Sequence, residues 1–396
     1  MGKPVRAGRL CSVGGFAVLS VWLAFVPGAA ALNAHASSQA VCPGAAVDNA
    51  RCSAHVVTDR NGNPSATTAP TGYGPTQFQT AYGLTAAAAA PTTQTIGIVD
   101  AYDDANAESD LAVYSQTYGL PACTTANGCF KKVNQKGGTN YPRKNSGWAL
   151  EISLDVQIAH ATCPNCRILL VEASSSSFSN LLAAEDWATS HANVVSNSWG
   201  ASEFSSETTS SYDGHFNRPG VPITVSAGDN GYGPEYPAAS RFVTAVGGTT
   251  LNLNADNTRA SESVWNGTGS GCSAYETKPT WQSDTGCTRR TVADVSADAD
   301  PNTGAAIYDS AGYSGQVGWF RVGGTSLSAP LIAAVYALAG NGSTTLSGSY
   351  PYSHTASLFD VSSGSNGSCS PAYLCTAGSG YDGPTGLGTP AGTGAF

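Results

Sequence analysis

Short apolar runs alternate with helical patterns through the middle of this chain, and that alternation most constrains its fold. Thr93-Gln-Thr-Ile-Gly-Ile-Val-Asp100 is a brief apolar run ending on an acid, and Ala105 to Tyr118 follows with helical spacing. The pattern predicts further strands at Arg167–Ala173, Asn193–Trp199, Pro222–Ala227 and Phe242–Val246, with helices at Phe178–His191 and around Glu207–Phe216. Strands of this kind read as buried on both faces, so the expected class is α/β, a parallel sheet with helices on both faces. In such sheets working residues lie at the carboxyl ends of strands. Asp100, Trp199 and Asp229 fall there. Asn252–Tyr313 reads as hairpins and loops, and Leu331–Ala339 as an apolar helix.

One predicted helix carries chemistry. In Ser146-Gly-Trp-Ala-Leu-Glu-Ile-Ser-Leu-Asp-Val-Gln-Ile-Ala-His160, Glu151 and Asp155 stand one turn apart on the same stripe. Leu150 and Leu154 border the stripe on one side, Ile152 and Val156 on the other. Two neighbouring carboxyls in a buried helix cannot both ionise cheaply, so at least one pKa should rise. A surface helix with two unrelated acids would show the same spacing.

The termini and cysteines bear on compartment. Lys3, Arg6 and Arg9 precede a short apolar stretch, Val13–Val26, and small residues suited to cleavage, so residues 1–32 read as a secretory signal. Residues 33–71 read as a short leader or linker, and 72–396 as a single large domain. Beyond Cys11 the cysteines fall into local couples: Cys42/Cys52, Cys123/Cys129, Cys163/Cys166, Cys272/Cys287 and Cys369/Cys375. Such couples suit disulfides in an oxidising compartment. Cys163-Pro-Asn-Cys166 could also be a redox motif or half a zinc site, but there is no second C-x-x-C. A net charge of -9 offers no basic patch for nucleic acid, and no stretch beyond the signal is long enough to span a bilayer. Secretion as a monomer is the expectation.

Gly323-Gly-Thr-Ser-Leu-Ser-Ala-Pro330 places Ser326 at the start of the second apolar helix. Glycines allow close backbone approach, and a helix N-terminus supplies free N–H groups near the hydroxyl. Gly324-Thr-Ser-Leu-Ser-Ala-Pro330 resembles the G-T-S-x-S-x-P motif of the sedolisin family of serine-carboxyl peptidases. Glu151-x-x-x-Asp155 is similar to that family's acidic pair, and Ser226-Ala-Gly-Asp-Asn-Gly231 to the segment holding its oxyanion-stabilising aspartate. Ser196-Asn-Ser-Trp-Gly200 and Tyr236-Pro-Ala-Ala239 extend the likeness, in the family's order, from about Tyr73 to Phe396.

The resemblance implies a subtilisin-like fold and hydrolysis of polypeptides. Ser326 would attack the scissile carbonyl, and Glu151 would take the proton and return it to the leaving amine. Asp155 would hold Glu151, and protonated Asp229 would donate to the oxyanion. Asp100 could extend the acid network or merely cap a turn; Trp199 could line the site or pack in the core. Both carboxyl roles favour acid, so activity should peak below about pH 5, given ordinary carboxyl pKa values near 4. A calcium loop is implied by Asp360-Val361 and Gly378-Ser-Gly-Tyr-Asp382, with ligands from Asp360, Val361, Gly378, Gly380 and Asp382. Two alternatives stand beside this reading. One is a His-dependent triad of Asp100, His160 and Ser326; the other is a secreted binding protein that keeps the fold without catalysis. The shortness of 33–71, against the family's usual sizeable pro-domain, favours the latter.

Overall fold

In a computed structural model, which describes residues 1, 2, 8, 37–44, 46 and 48–396, the expected alternation builds one large sheet. The expected signal over 1–32 lies almost wholly outside the described residues. The described chain begins with three very short strands, β1 (Ser38–Ala40), β2 (Arg51–Cys52) and β3 (His55–Val57). Two short helices follow, α1 (Pro75–Ala81) and α2 (Thr85–Ala89). Then come β4 (Thr95–Ala101), α3 (Ala107–Tyr118), β5 (Phe130–Asn134), α4 (Ser146–Thr162), β6 (Arg167–Ala173), α5 (Phe178–Thr189) and β7 (Val194–Asn197). After them run β8 (Trp199–Ser202), β9 (Ile223–Ser226), β10 (Glu235–Tyr236), β11 (Thr244–Leu253) and β12 (Arg259–Val264). Strands β13 (Gly271–Thr277), β14 (Arg289–Val292), β15 (Val295–Asp298), β16 (Ala305–Tyr313) and β17 (Gln316–Gly323) lead into α6 (Thr325–Ala339).

The main sheet runs β12-β11-β9-β7-β4-β6-β5, with β15 also beside β11. Its neighbours are parallel except for the antiparallel edge strand β12. Ile96 to Ala101 are all buried, which requires cover on both faces of the sheet at its centre. Helix α5 packs on β4, β6 and β7, while α4 and α6 pack on each other and on β4. A second, antiparallel sheet, β1-β3-β17-β16, lies against α4 through β16. A third joins β10, β8 and β2. All five expected cysteine couples form disulfides. Among the described residues no helix is long and apolar enough to cross a membrane.

Several expectations need correction. Residues 37–71 are not a loose linker; they belong to the packed unit Ala36–Phe396, with β3 inserted between β1 and β17. Strands of two or three residues carry no periodicity, so only their partners reveal them. The helix expected around Glu207–Phe216 is a set of turns with one 3₁₀ turn at Asp213–His215. Its Ser/Thr-rich composition competes with helical hydrogen bonding. The strand expected over Asn193–Trp199 breaks at Ser198, where β7 of the main sheet gives way to β8 of the third. Strand β15 joins the parallel sheet from the stretch read as hairpins and loops.

Candidate active site

Helix α4 has almost no wet face: residues 147–162 are all buried. Its N-terminus is held by Asn145, whose side chain accepts from the N–H groups of Gly147 and Trp148, both at 3.1 Å. A helix apolar all round belongs inside a protein, and here the sheet, β16 and α6 surround it. Glu151 and Asp155 are therefore carried fully buried, on a helix packed against the one that Ser326 opens.

The start of α6 is shaped by Gly324, at φ 98°. A Cβ there would lie 2.3 Å from the Ser53 carbonyl oxygen and 2.5 Å from Asp229 Oδ2, so only glycine fits. Asp229 acts on the helix end: its Oδ1 accepts from Thr325 N at 2.8 Å and from Thr325 Oγ1 at 2.7 Å. Its Oδ2 is buried without a hydrogen-bond partner. Ser326 is fully buried; its hydroxyl donates to the Ser198 carbonyl at 3.2 Å and its N–H to the Ser53 carbonyl at 2.8 Å. The Ser198 hydroxyl in turn donates to Asp155 Oδ1 at 2.9 Å.

Electrostatics follow from burial. Burial first, then the Asp100 carboxyl, pushes Glu151 well above the usual carboxyl range; Asp229 adds to this and the Ser326 hydroxyl opposes it. Neither Glu151 oxygen is in hydrogen-bonding geometry, yet these influences place the group among Asp100, Asp229 and Ser326. Asp155 is raised by burial, Asp100 and Glu151 against the Ser198 bond. Burial lifts Asp100 to about 8, and Asp229 to about 7 in spite of its bonds from Thr325. Asp100, Glu151 and Asp155 lie close enough that each ionisation disfavours the next, and Asp229 acts on Glu151 in the same sense. Such a site can pass a proton between a hydroxyl and a carboxyl and can donate from a neutral acid, both away from water.

Other expected residues sort plainly. His160 lies nine positions beyond Glu151 on α4, roughly 13 Å along the axis at the rise of a helix. Its Nε2 meets the Pro121 carbonyl at 3.0 Å, and its ring sits beside Cys123 and Cys129. Helix α4 thus directs His160 away from the Ser326 site, which removes the His triad. The Trp199 side chain is core, fully buried, with its N–H on the Val99 carbonyl at 3.0 Å. Asp100 is fully buried and its oxygens have no hydrogen-bond partner, which suits a network acid more than a turn cap. Sequence reading missed Ser198 as the bridge between Asp155 and Ser326. It also missed His55, whose Nε2 lies 3.9 Å from Asp229 Oδ2 and whose ring stands edge-on to Trp265. His55 comes from the stretch read as a linker, where no motif marks it.

Far along the chain, Asp360, Val361, Gly378, Gly380 and Asp382 come together. Gly380 N–H donates to Asp360 Oδ2 at 2.9 Å and Gly378 N–H to Asp382 Oδ2 at 3.1 Å. Thr385 Oγ1 links Asp382 Oδ1, at 2.8 Å, to the Val361 carbonyl, at 3.5 Å. Burial, with a smaller push from the Asp360 charge, raises Asp382 to about 6. Two close acids with the Val361 carbonyl nearby offer hard oxygens of the kind a calcium-like cation takes.

Comparison with known proteins agrees with this fold. Residues 137–350 match the subtilase family. The chain is 31% identical to sedolisin of Pseudomonas sp. (strain 101), over 80% of this chain and 60% of that protein. It is also 31% identical to kumamolisin of Bacillus sp. (strain MN-32), over 83% of this chain and 64% of that protein. The chain thus spans under two thirds of the length of these relatives. The structure of Pseudomonas sedolisin complexed with two molecules of pseudo-iodotyrostatin superposes with a TM-score of 0.68 at 30% identity, covering 81% of this chain and 96% of that one.

Proposed function

The chain belongs to the sedolisin family of serine-carboxyl peptidases, and from that premise we propose that it is a secreted peptidase that cleaves polypeptides in acid. The observation that carries the proposal is Ser326 at a buried helix start, with Glu151 electrostatically coupled to it, Asp155 linked to it through Ser198, and Asp229 bonded to its neighbour Thr325. Ser326 Oγ attacks the scissile carbonyl while Glu151 accepts its proton. A carboxylate is a weak base towards a hydroxyl, so transfer accompanies attack. Glu151 must be ionised to do this, so the coupled acids must hold a shared negative charge at the working pH, and burial among Asp100 and Asp229 makes that charge a stronger base. Asp155, held by the Ser198 hydroxyl, acts on Glu151 through the charge of its carboxyl one helical turn away. The unpartnered Asp229 Oδ2, when protonated, and the Ser326 N–H are the two donors for the oxyanion. Glu151 then returns its proton to the leaving amine, and water frees the serine.

A calcium ion at Asp360, Val361, Gly378, Gly380 and Asp382 would tie the C-terminal turn to the domain. When bound it would supply positive charge that favours the ionised form of Asp382. The secretory signal read over 1–32 and the five disulfides support action outside the cell.

The test is hydrolysis of an unfolded protein by the purified chain at pH 4, beside its Ser326→Ala variant. Turnover by the first alone supports a peptidase. Equal turnover by both would reject Ser326, and binding without turnover at any pH would favour a binding protein.

A further inference from the structure

Asp100 ends its strand and Asp229 follows one, so both stand at the carboxyl ends of the main sheet. The amino ends of the parallel strands β9, β11 and β15 carry a different feature, two cavities lined by aromatic rings. Asp294, just before β15, marks the place: its N–H donates to the Ala245 carbonyl at 2.9 Å, and its Oδ2 accepts from Ala245 N–H at 2.8 Å. The first cavity, of about 430 Å³, is walled by Trp281, Tyr352, Tyr373 and Tyr381. The second, of about 360 Å³, is walled by Phe242, just before β11, and by Asn217 and Pro219, before β9. Trp281 lines both, so the two meet at its ring. Each has the size of a small-molecule site.

The rings are fixed from beneath. Tyr352 donates its hydroxyl to Asp294 Oδ1 at 2.9 Å, Tyr381 to the Ala293 carbonyl at 3.0 Å and Tyr373 to Asp284 Oδ2 at 2.7 Å. Their centroids follow one another as a strip: Trp281 to Tyr352 4.7 Å, Tyr352 to Tyr381 6.1 Å, Tyr381 to Tyr373 6.4 Å. Core rings would be fully covered, whereas these four are only half-buried, at the wall of a cavity. The charges nearby are spent. Lys278 Nζ sits 2.7 Å from Asp284 Oδ1, and Arg290 is paired with Asp294 out of solvent. Arg290 also lies 5.1 Å from the Trp281 ring centre, already supplying the cation that this ring attracts. A charged ligand finds no free partner here. A proline-rich peptide, which also docks on aromatic walls, needs donors for its carbonyls, and all three tyrosine hydroxyls are turned inward. What remains beside the strip are the exposed hydroxyls of Ser283, Thr285 and Thr355, which make no hydrogen bond among the described residues.

We propose that this strip is an accessory site for a neutral polysaccharide chain. A sugar ring has an apolar C–H face that stacks on an aromatic ring, and hydroxyls at its edge that both donate and accept. Successive sugars would lie over Trp281, Tyr352 and Tyr381, with their hydroxyls on Ser283, Thr285 and Thr355. The meeting of two cavities at Trp281 lets a chain continue past that ring on both sides, which a single small ligand does not need. Neither cavity includes Ser326, Glu151, Asp155 or Asp229, so binding here stands or falls apart from the peptidase reading. Its effect would be to hold the protein on a glycan surface.

The experiment titrates the full chain at pH 5.5 with cellohexaose, chitohexaose, mannohexaose and xylohexaose, and separately with a decaproline peptide, by calorimetry and tryptophan fluorescence. At least one hexasaccharide should bind with Kd below about 1 mM and change the fluorescence. Trp281→Ala should weaken that binding at least about tenfold, and Trp281→Phe, which keeps a smaller ring, less than Trp281→Ala. Thr355→Val, at an exposed position that the fold does not depend on, should weaken it at least about threefold with an unchanged melting temperature. If Trp281→Ala does not fold, Thr355→Val and Trp281→Phe decide. No hexasaccharide binding below about 1 mM would overturn the proposal. So would sugar binding that Trp281→Phe and Thr355→Val both leave unchanged, since it would lie elsewhere. Decaproline binding that Trp281→Phe weakens, with no sugar bound, would give the groove to a peptide and overturn the sugar.

Discussion

The Ser198 hydroxyl donates to Asp155 Oδ1 at 2.9 Å, and through its own carbonyl Ser198 also receives the Ser326 hydroxyl at 3.2 Å. One residue at a strand break thus couples the acid helix to the serine. Ser198→Ala should keep the carbonyl contact and lose the other. The Ser198 bond opposes the rise in the Asp155 pKa, so its loss should shift the acid limb of the pH–rate profile upward. We expect kcat to fall about tenfold with KM little changed, since the lost bond orients a group that never touches substrate.

Glu151→Gln should lower kcat/KM by at least about 10³-fold, because an amide cannot take the serine proton. The same variant should melt higher than the unsubstituted chain at pH 7.5. Glu151 is raised well above its ordinary value, so the native state must hold its proton or bury a charge as pH rises. An amide removes that penalty. Melting curves at pH 4 and 7.5 separate this effect from general damage, which would lower both.

Asp229→Asn keeps an acceptor for Thr325 and so should leave the start of α6 intact. Burial lifts Asp229 to about 7, and only its protonated form donates to an oxyanion. Activity should therefore be lost as pH rises through that value. The asparagine amide donates at any pH, so the variant should show a lower maximum, by about 10²-fold, without that alkaline limb. Initial rates from pH 3 to 9 would check both features.

Stability should fall as pH rises from about 4 towards 8. Burial raises Asp100 to about 8, Asp229 to about 7 and Glu185 to about 8. A carboxyl raised in the folded state stabilises fully below its unfolded pKa, and that contribution is lost as pH climbs through the folded value. We expect the melting temperature to drop by at least about 5 °C between pH 4 and pH 8. A flat or rising curve would contradict the burial of these acids in neutral form.

Chelator should lower the melting temperature at pH 6 and above, and added calcium should restore it. Asp382→Asn should abolish both responses. At pH 4 the difference should shrink, because Asp382, raised to about 6, is then protonated and a poor ligand.

The fold was legible where physics is local. Runs such as Ile96–Val99 are apolar at every position because both faces of β4 are covered, and this shows in any window of the sequence. Glu151, Asp155 and Ser326 were legible because apolar helices with one polar spot are conspicuous. The roles of Ser53, His55 and Ser198 were not. Each acts through a contact with residues far off in sequence, such as Ser53 with Ser326, and neither strand length nor composition announces such partners. Glu207–Phe216 misled in the other direction, since its hydrophobic spacing mimics a helix that its serines and threonines do not sustain.

The five crosslinks join residues only 3 to 15 positions apart. Short rings remove little freedom from a long denatured chain, which stays nearly as open as one without them. The order of the main sheet brings β4 between β6 and β7, and β11 beside β15, pairings that no ring prearranges. Renaturation must find these distant partners unaided, and we expect it to be slow and concentration-sensitive even when every bridge is kept intact.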